Sequence, residues 1–281
     1  NMTERIKNTA SFIRSKTEDF APEAGIILGT GLGGLVEKID VRYALDYHEI
    51  PDFPVSTVEG HRGRLIFGLL GGRRVVAMQG RFHYYEGYTP QEIVFPVRVL
   101  TRLGIRYLFV SNAAGGVNPG FRPGDLMVIT DHINFIPNPL IGRNMADFGP
   151  RFPDMCRAYD PELIALADGI AGETGISLRH GCYVGLTGPS FETPKEYGFC
   201  RIIGGDAVGM STTPEVIAAA HCGLRIFAVS IITNLGIEGK QASHEEVQTE
   251  GAKAEKRMTE LFARMLAALP GHTGKACGEE A

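Results

Sequence analysis

Short apolar runs alternate with helical stretches along the whole of this chain, and six of those runs stop abruptly on glycine or on polar residues. No other feature constrains the fold as tightly. A buried strand followed by a helix crosses over and pairs parallel with a later strand, so repeated alternation predicts an α/β fold. Its sheet is expected to be largely parallel and covered by helices on both faces. Strands are expected at 25–28, at 64–70 and 74–79 (a hairpin turning on Gly71-Gly72), and at 107–111, 125–130, 180–186, 207–210 and 226–233. Helices are expected at 3–20, 90–103, 161–173, 194–203, 214–222 and 244–269, from apolar recurrence and from proline in the first turns. The last of them opens on Ser243 and Glu246 at capping-box spacing. No repeat, linker or shift of composition divides the chain. It reads as one domain over 1–281, with a core at about 3–269 and a Gly-rich charged end, 270–281, expected to be disordered.

Composition removes several classes of function. A net charge of −4 offers no broad basic face for a nucleic-acid backbone. A membrane-spanning helix needs roughly 20 consecutive apolar residues, and no such run occurs. No charged-then-apolar leader opens the sequence, so a cytoplasmic protein is expected. Cys156, Cys182, Cys200, Cys222 and Cys277 are scattered and odd in number, without a C-x-x-C pair, which predicts free thiols. With no H-E-x-x-H, no H-x-H and no cysteine cluster, neither a metal nor another cofactor is expected.

The six strand ends are Gly29-Thr30-Gly31, Gln79-Gly80-Arg81-Phe82-His83, Ser111-Asn112-Ala113-Ala114-Gly115-Gly116, Gly188-Pro189-Ser190-Phe191-Glu192, Gly209-Met210-Ser211-Thr212 and Thr233-Asn234. Ligands of α/β folds gather at such ends. Gly29, Gly31 and Gly34 match the dinucleotide fingerprint G-x-G-x-x-G, but a charged, proline-rich stretch and a hairpin follow instead of a long helix. A glycine turn whose N–H groups and Thr30 hydroxyl face an anion fits better. Arg81 and His83 lie two apart on an extended segment and suit a phosphate, with Glu86 near enough to orient His83; an exposed polar turn is the plainer reading of that triplet. Thr30 and Ser211, also at strand ends, favour the phosphate. Glu192 reads either as a helix-start acid or, with Asn234 and Phe191, as one edge of a purine site. In that site the carboxylate accepts from N1–H and the amide bonds O6 and N7. His61 and His244 remain open between exposed polar residues and ligand contacts. Residues 134–154 are rich in Pro, Gly, Asn and Phe, and a loop of that length is usually functional.

Several long motifs carry a resemblance: Met78-Gln79-Gly80-Arg81-Phe82-His83 running on to Tyr85-Glu86-Gly87-Tyr88, Ser111 to Gly116, Gly188-Pro189-Ser190-Phe191-Glu192-Thr193, and Asp206 to Thr212. From about Gly25 to Leu269 the chain resembles the homotrimeric, 6-oxopurine-preferring purine nucleoside phosphorylases. The resemblance implies a single-domain, three-layer fold with a central mixed β-sheet flanked by helices. It implies reversible phosphorolysis of inosine and guanosine, or their deoxy forms, with phosphate as co-substrate. It assigns phosphate to Thr30, His61, Arg81, His83, Ser211 and the N–H of Ala113. It assigns the purine to Phe191, Glu192, Val208 and Asn234, and the ribose to Tyr85, Met210, His244 and Phe148, the last lent by a neighbouring subunit of a homotrimer. Asn234, Glu192 and His83 form the expected catalytic set. One departure stands out: Leu235-Gly236 follows Asn234, where vertebrate-like members carry a Lys. The rival enzyme is methylthioadenosine phosphorylase, which favours an Asp in place of Asn234. A non-catalytic nucleoside binder is the rival from another class, but no expected phosphate or purine residue is missing.

Overall fold

The computed structural model describes residues 1–29, 31–55, 63–236 and 244–271, and the backbone alone at 244–248 and 250. Its centre is a nine-stranded sheet: β1 (Ala24–Leu28), β2 (Asp40–Asp46), β3 (Arg64–Leu70), β4 (Arg73–Gln79), β5 (Tyr107–Gly116), β6 (Leu126–Asn134), β7 (Leu178–Gly185), β8 (Ala207–Gly209) and β9 (Arg225–Leu235). Six helices accompany it: α1 (Met2–Lys16), α2 (Pro90–Arg102), α3 (Pro161–Thr174), α4 (Pro194–Ile202), α5 (Thr213–His221) and α6 (His244–Ala268).

The apolar runs are continuous because the sheet is covered on both faces. Ile27, Val76, Met78, Leu108 and Val110 join α1, α2 and α5 in one core, while Ile26, Leu28, Val75, Ala77 and Phe109 join α3 and α6 in another. Side chains of a strand alternate between faces, so each apolar run feeds both cores in turn. Helix starts follow their local chemistry. Thr89 caps α2 by accepting from the Glu92 N–H at 3.2 Å, Glu92 returns the bond, and Pro90 takes the first helical position. Thr193 and Glu196 do the same for α4. Ser243, the expected cap of the last helix, lies outside the described residues, as does the chain from 272 onward.

The sheet is mixed and not largely parallel. Pairs β1–β4, β1–β5, β5–β9, β6–β7 and β7–β8 are parallel, while β2–β3, β3–β4, β5–β8 and β6–β9 are antiparallel. Five strands pair in a closed circuit, β5 to β9 to β6 to β7 to β8 and back to β5. Two pairs of this circuit, β5–β8 and β6–β9, are antiparallel, which alternation along the sequence does not reveal. The circuit also lengthens the strands. β5, β6 and β9 run on through residues expected to lie beyond them, because the tail of β5 pairs with β9 as far as Gly116 and Leu235, and β6 pairs with β7 as far as Asn134 and Gly185. Strand β2 was not anticipated; it lies at one end of the sheet with most residues exposed or half-buried, so it carries no apolar run.

The β3–β4 hairpin turns on Gly71 and Gly72, both with positive φ (60° and 76°). A Cβ on Gly71 would stand 2.4 Å from the Ala263 carbonyl of α6, whereas a Cβ on Gly72 meets nothing within 4 Å. Gly72→Ala is therefore expected to cost only the left-handed backbone, about 1–2 kcal/mol. Gly71→Ala is expected to cost about 1–3 kcal/mol more, because α6 must shift. Urea midpoints of the two variants check the order.

Candidate active site

Strand ends β1, β4, β5, β8 and β9 and the loop after β7 converge on one cleft of about 310 Å³. Arg81, His83, Tyr85, Ala113, Phe191, Glu192, Val208, Met210, Ser211 and Asn234 all line it, so most of the residues singled out in the sequence are brought together. Thr30 and His61, and the side chain of His244, fall outside the described residues.

At one end stands Arg81. Its side chain is 2% exposed, and Glu215, at 3%, accepts from both Nε (3.1 Å) and Nη2 (2.5 Å). Nη1 donates to the Ser111 carbonyl at 2.5 Å and Nη2 reaches the Thr212 hydroxyl at 3.4 Å. A buried guanidinium without such partners is strongly disfavoured, and the two-pronged carboxylate fits its planar fork. Thr212 (φ 70°) precedes α5, accepts from Asn112 Nδ2 at 2.9 Å and lies 3.1 Å from the Ser211 hydroxyl. The Ser211 N–H donates to the Tyr183 hydroxyl at 3.2 Å. The Ser211 hydroxyl is thus held at the start of α5, where N–H groups and the helix dipole favour an anion. His83 Nδ1 lies 2.7 Å from Glu86 Oε1; a carboxylate only accepts, so Nδ1 carries the proton and Nε2 is the ring's remaining polar atom. Tyr85 stacks on the His83 ring at 4.7 Å, 17° from parallel.

At the other end stand Glu192, Asn234, Phe191 and Val208. Burial pushes the Glu192 carboxyl above its ordinary range, while hydrogen bonds from its own backbone and from Tyr197 hold it down. The Thr233 hydroxyl donates to Asn234 Oδ1 at 3.0 Å, which leaves the amide NH₂ as the donor available to a ligand. One end therefore offers oriented donors to an anion, and the other offers an acceptor beside a donor to a flat heterocycle.

Phe148, the residue expected to reach a neighbouring subunit's ribose site, lies in the long loop after β6. It is only 9% exposed within its own chain, beneath Arg98 and Arg102, whose guanidinium carbons lie 5.0 and 4.8 Å from its ring. Cations over an aromatic face hold that ring inward. The segment is fastened beside it, where Asn144 Oδ1 lies 3.0 Å from His221 Nε2 and Arg98 donates to Nδ1. Phe152, four residues on, is 87% exposed and borders a separate open cleft with Arg151 and Ile141. Glu215, Thr212 and Tyr197 were missed. Glu215 did leave a signal, an acid in the first turn of the otherwise apolar helix Pro214-Glu215-Val216-Ile217-Ala218. Among the described residues no group of three or more His, Cys, Asp or Glu could hold a metal ion, and no helix is long and apolar enough to cross a membrane.

Known proteins match this geometry over nearly the whole chain. A family profile described as the phosphorylase superfamily matches residues 23–267. The chain is 54% identical over 258 residues to purine nucleoside phosphorylase 1 of Bacillus subtilis, covering 90% of this chain and 95% of that one. It is 49% identical over 285 residues to the purine nucleoside phosphorylase of Bos taurus, covering 96% and 98%. Among solved structures, Schistosoma mansoni purine nucleoside phosphorylase in complex with inosine superposes with a TM-score of 0.92 at 42% identity, covering 96% of this chain and 98% of that one.

Removing Glu215 leaves the Arg81 charge buried without its partner. Glu215→Ala is expected to destabilise the protein by about 3–5 kcal/mol, with Glu215→Gln intermediate. Chemical denaturation of both variants measures this; a loss below 1 kcal/mol (a typical surface substitution is within about ±0.5) would show that Arg81 is satisfied otherwise.

Proposed function

We propose that this chain, which belongs to the phosphorylase superfamily and within it to the purine nucleoside phosphorylases, cleaves 6-oxopurine nucleosides with inorganic phosphate. The products are the free base and ribose 1-phosphate, or the deoxy sugar phosphate. One observation carries the reading: a single cleft holds donors for an anion at one end and the Glu192–Asn234 pair at the other. Relatives named purine nucleoside phosphorylase, and a related structure holding inosine, support it. The methylthioadenosine rival gains no support from them, and Asn234 stands where that rival favours an Asp.

Phosphate binds among Arg81, His83, Ser211 and the Ala113 N–H, with Thr30 and His61 as further ligands. The purine lies against Phe191 and Val208. The Glu192 carboxylate accepts from N1–H, and the Asn234 NH₂, turned by Thr233, donates to N7. Tyr85 and Met210 flank the ribose, and His244 bonds its 5′-hydroxyl. As the C1′–N9 bond breaks, its electron pair passes into the purine and N7 becomes the stronger acceptor. The ribosyl carbon takes on oxocarbenium character beside the phosphate anion, and a phosphate oxygen then bonds C1′ from the face opposite the departing base. The configuration inverts, with no covalent enzyme intermediate. Positioning and complementary charge supply the catalysis, and no cofactor takes part.

A homotrimer in the cytoplasm is part of this proposal. In it, Phe148, from the loop at residues 134–154, completes a neighbouring subunit's ribose site.

The decisive assay is consumption of inosine, which is expected to require phosphate. Asn234→Ala is expected to lower kcat on the order of 10²-fold or more, the loss typical of one donor to a developing anion; an unchanged kcat removes that role. Phe148→Ala is expected to raise KM for inosine on the order of tenfold, the worth of one aromatic contact, with KM for phosphate little changed. Equal changes in both constants would show that Phe148 does not serve the nucleoside site.

A further inference from the structure

The base end of the cleft contains a side chain that none of the sequence motifs includes. Tyr197 is the fourth residue of α4, just past the capping box that fixes the start of that helix. It lines the cleft with Glu192, Val208 and Asn234, and packs on the small cluster of Val184, Cys200 and Val208. Its hydroxyl stands near enough to the Glu192 carboxylate to lower that group's pKa, while Glu192 raises the hydroxyl's own. Its ring lies on Gly236, where a Cβ would come within 2.5 Å of the ring. Gly236 is the second residue of the Leu235-Gly236 pair that sets this chain apart after Asn234.

We propose that Tyr197 is a specificity-determining positioning residue: its hydroxyl donates to one oxygen of Glu192 and turns the other toward the purine N1–H, and Gly236 lacks a side chain so that the ring can sit there. The inference rests on the assignment of Glu192 to the purine.

A glutamate side chain left to itself rotates and presents either oxygen. A carboxylate anchored by a phenol donor and by its own backbone N–H presents one edge, and an O–H···O⁻ bond is among the stronger kinds. The donor is present throughout the neutral range, because burial and then the Glu192 charge push the Tyr197 hydroxyl up to about 12. The other titratable groups acting on the pair, Glu196 and the Cys200 thiol, both belong to α4, and Glu196 opposes ionisation of Glu192. Tyr197 therefore also keeps the carboxylate charged against its burial. A 6-aminopurine presents a bare N1 acceptor to that charge and is repelled, so the phenol contributes to the choice of base.

The test is inosine phosphorolysis by the full chain from acid to neutral pH, in the wild type and in Tyr197→Phe, which keeps the ring and removes only the donor. KM for inosine is expected to rise on the order of tenfold, the worth of one hydrogen bond to a charged group, with KM for phosphate unmoved. Losing a bond that lowers the Glu192 pKa lets the carboxylate protonate at higher pH, so the acid limb of kcat/KM is expected to move upward. Discrimination against adenosine is expected to narrow. Gly236→Ala, which pushes the ring away, is expected to act in the same direction, yet to add nothing in a Tyr197→Ala background. A Tyr197→Phe enzyme with the wild-type KM and the wild-type acid limb overturns the proposal while leaving the function intact. A wild type that does not consume inosine overturns both.

Discussion

A charged guanidinium sealed from water has to be answered by another charge, and the fold is arranged around that necessity at Arg81. Glu215 meets it with two oxygens, the Ser111 carbonyl takes a third donor, and Thr212 lies within reach of a fourth. Those partners come from β5, from the residue before α5 and from the first turn of α5 itself, so one side chain after β4 ties three elements together. Such an ion pair is a modest source of net stability, but removal of either partner is severe. Its value lies in geometry: it fixes Arg81 relative to Ser211 and to the backbone of β5.

The closed circuit of strands supplies the second constraint. An open parallel sheet presents its strand ends in a row, and residues on distant strands stay apart. Here β5 pairs with β9 along its length and with β8 at its tail, so Ala113, Val208, Ser211 and Asn234 meet around one opening. The anion end and the base end of the cleft are therefore neighbours because of pairing register, and a substrate the size of a nucleoside spans them.

Much of this was legible in the sequence, and the reasons for the exceptions are physical. Buried strands and capped helices announce themselves because burial and capping are local demands on residue type, as at Gly25 to Leu28 and at Thr89-Pro90. Polar groups such as Asn234 at the end of an apolar strand are conspicuous for the same reason. The antiparallel pairs were hidden because strand direction depends on where the chain returns. β2 was hidden because an exposed edge carries no apolar pattern. Phe148 and Phe152 look equivalent in a loop without periodicity, and their difference in burial appears only in the fold. Tyr197 gives no sign at all, since nothing within α4 distinguishes a tyrosine that faces a carboxylate from one that faces solvent. Its meaning appears only with Gly236, almost forty residues away in sequence.

The two ends of the cleft also share an electrostatic logic. Arg81 is already neutralised by Glu215, and His83 is already engaged by Glu86, so the anion end carries little uncompensated positive charge. Phosphate bound as proposed keeps much of its negative charge, which is what a cationic ribosyl centre beside it requires. At the base end, in the proposed reading, the acceptor is Glu192 and the donor at N7 is a neutral amide. An amide's hydrogen bond to N7 strengthens as negative charge arrives there. Both ends thus withhold full positive charge from the groups they bind. The interactions then strengthen as the glycosidic bond opens, rather than being spent on the intact nucleoside.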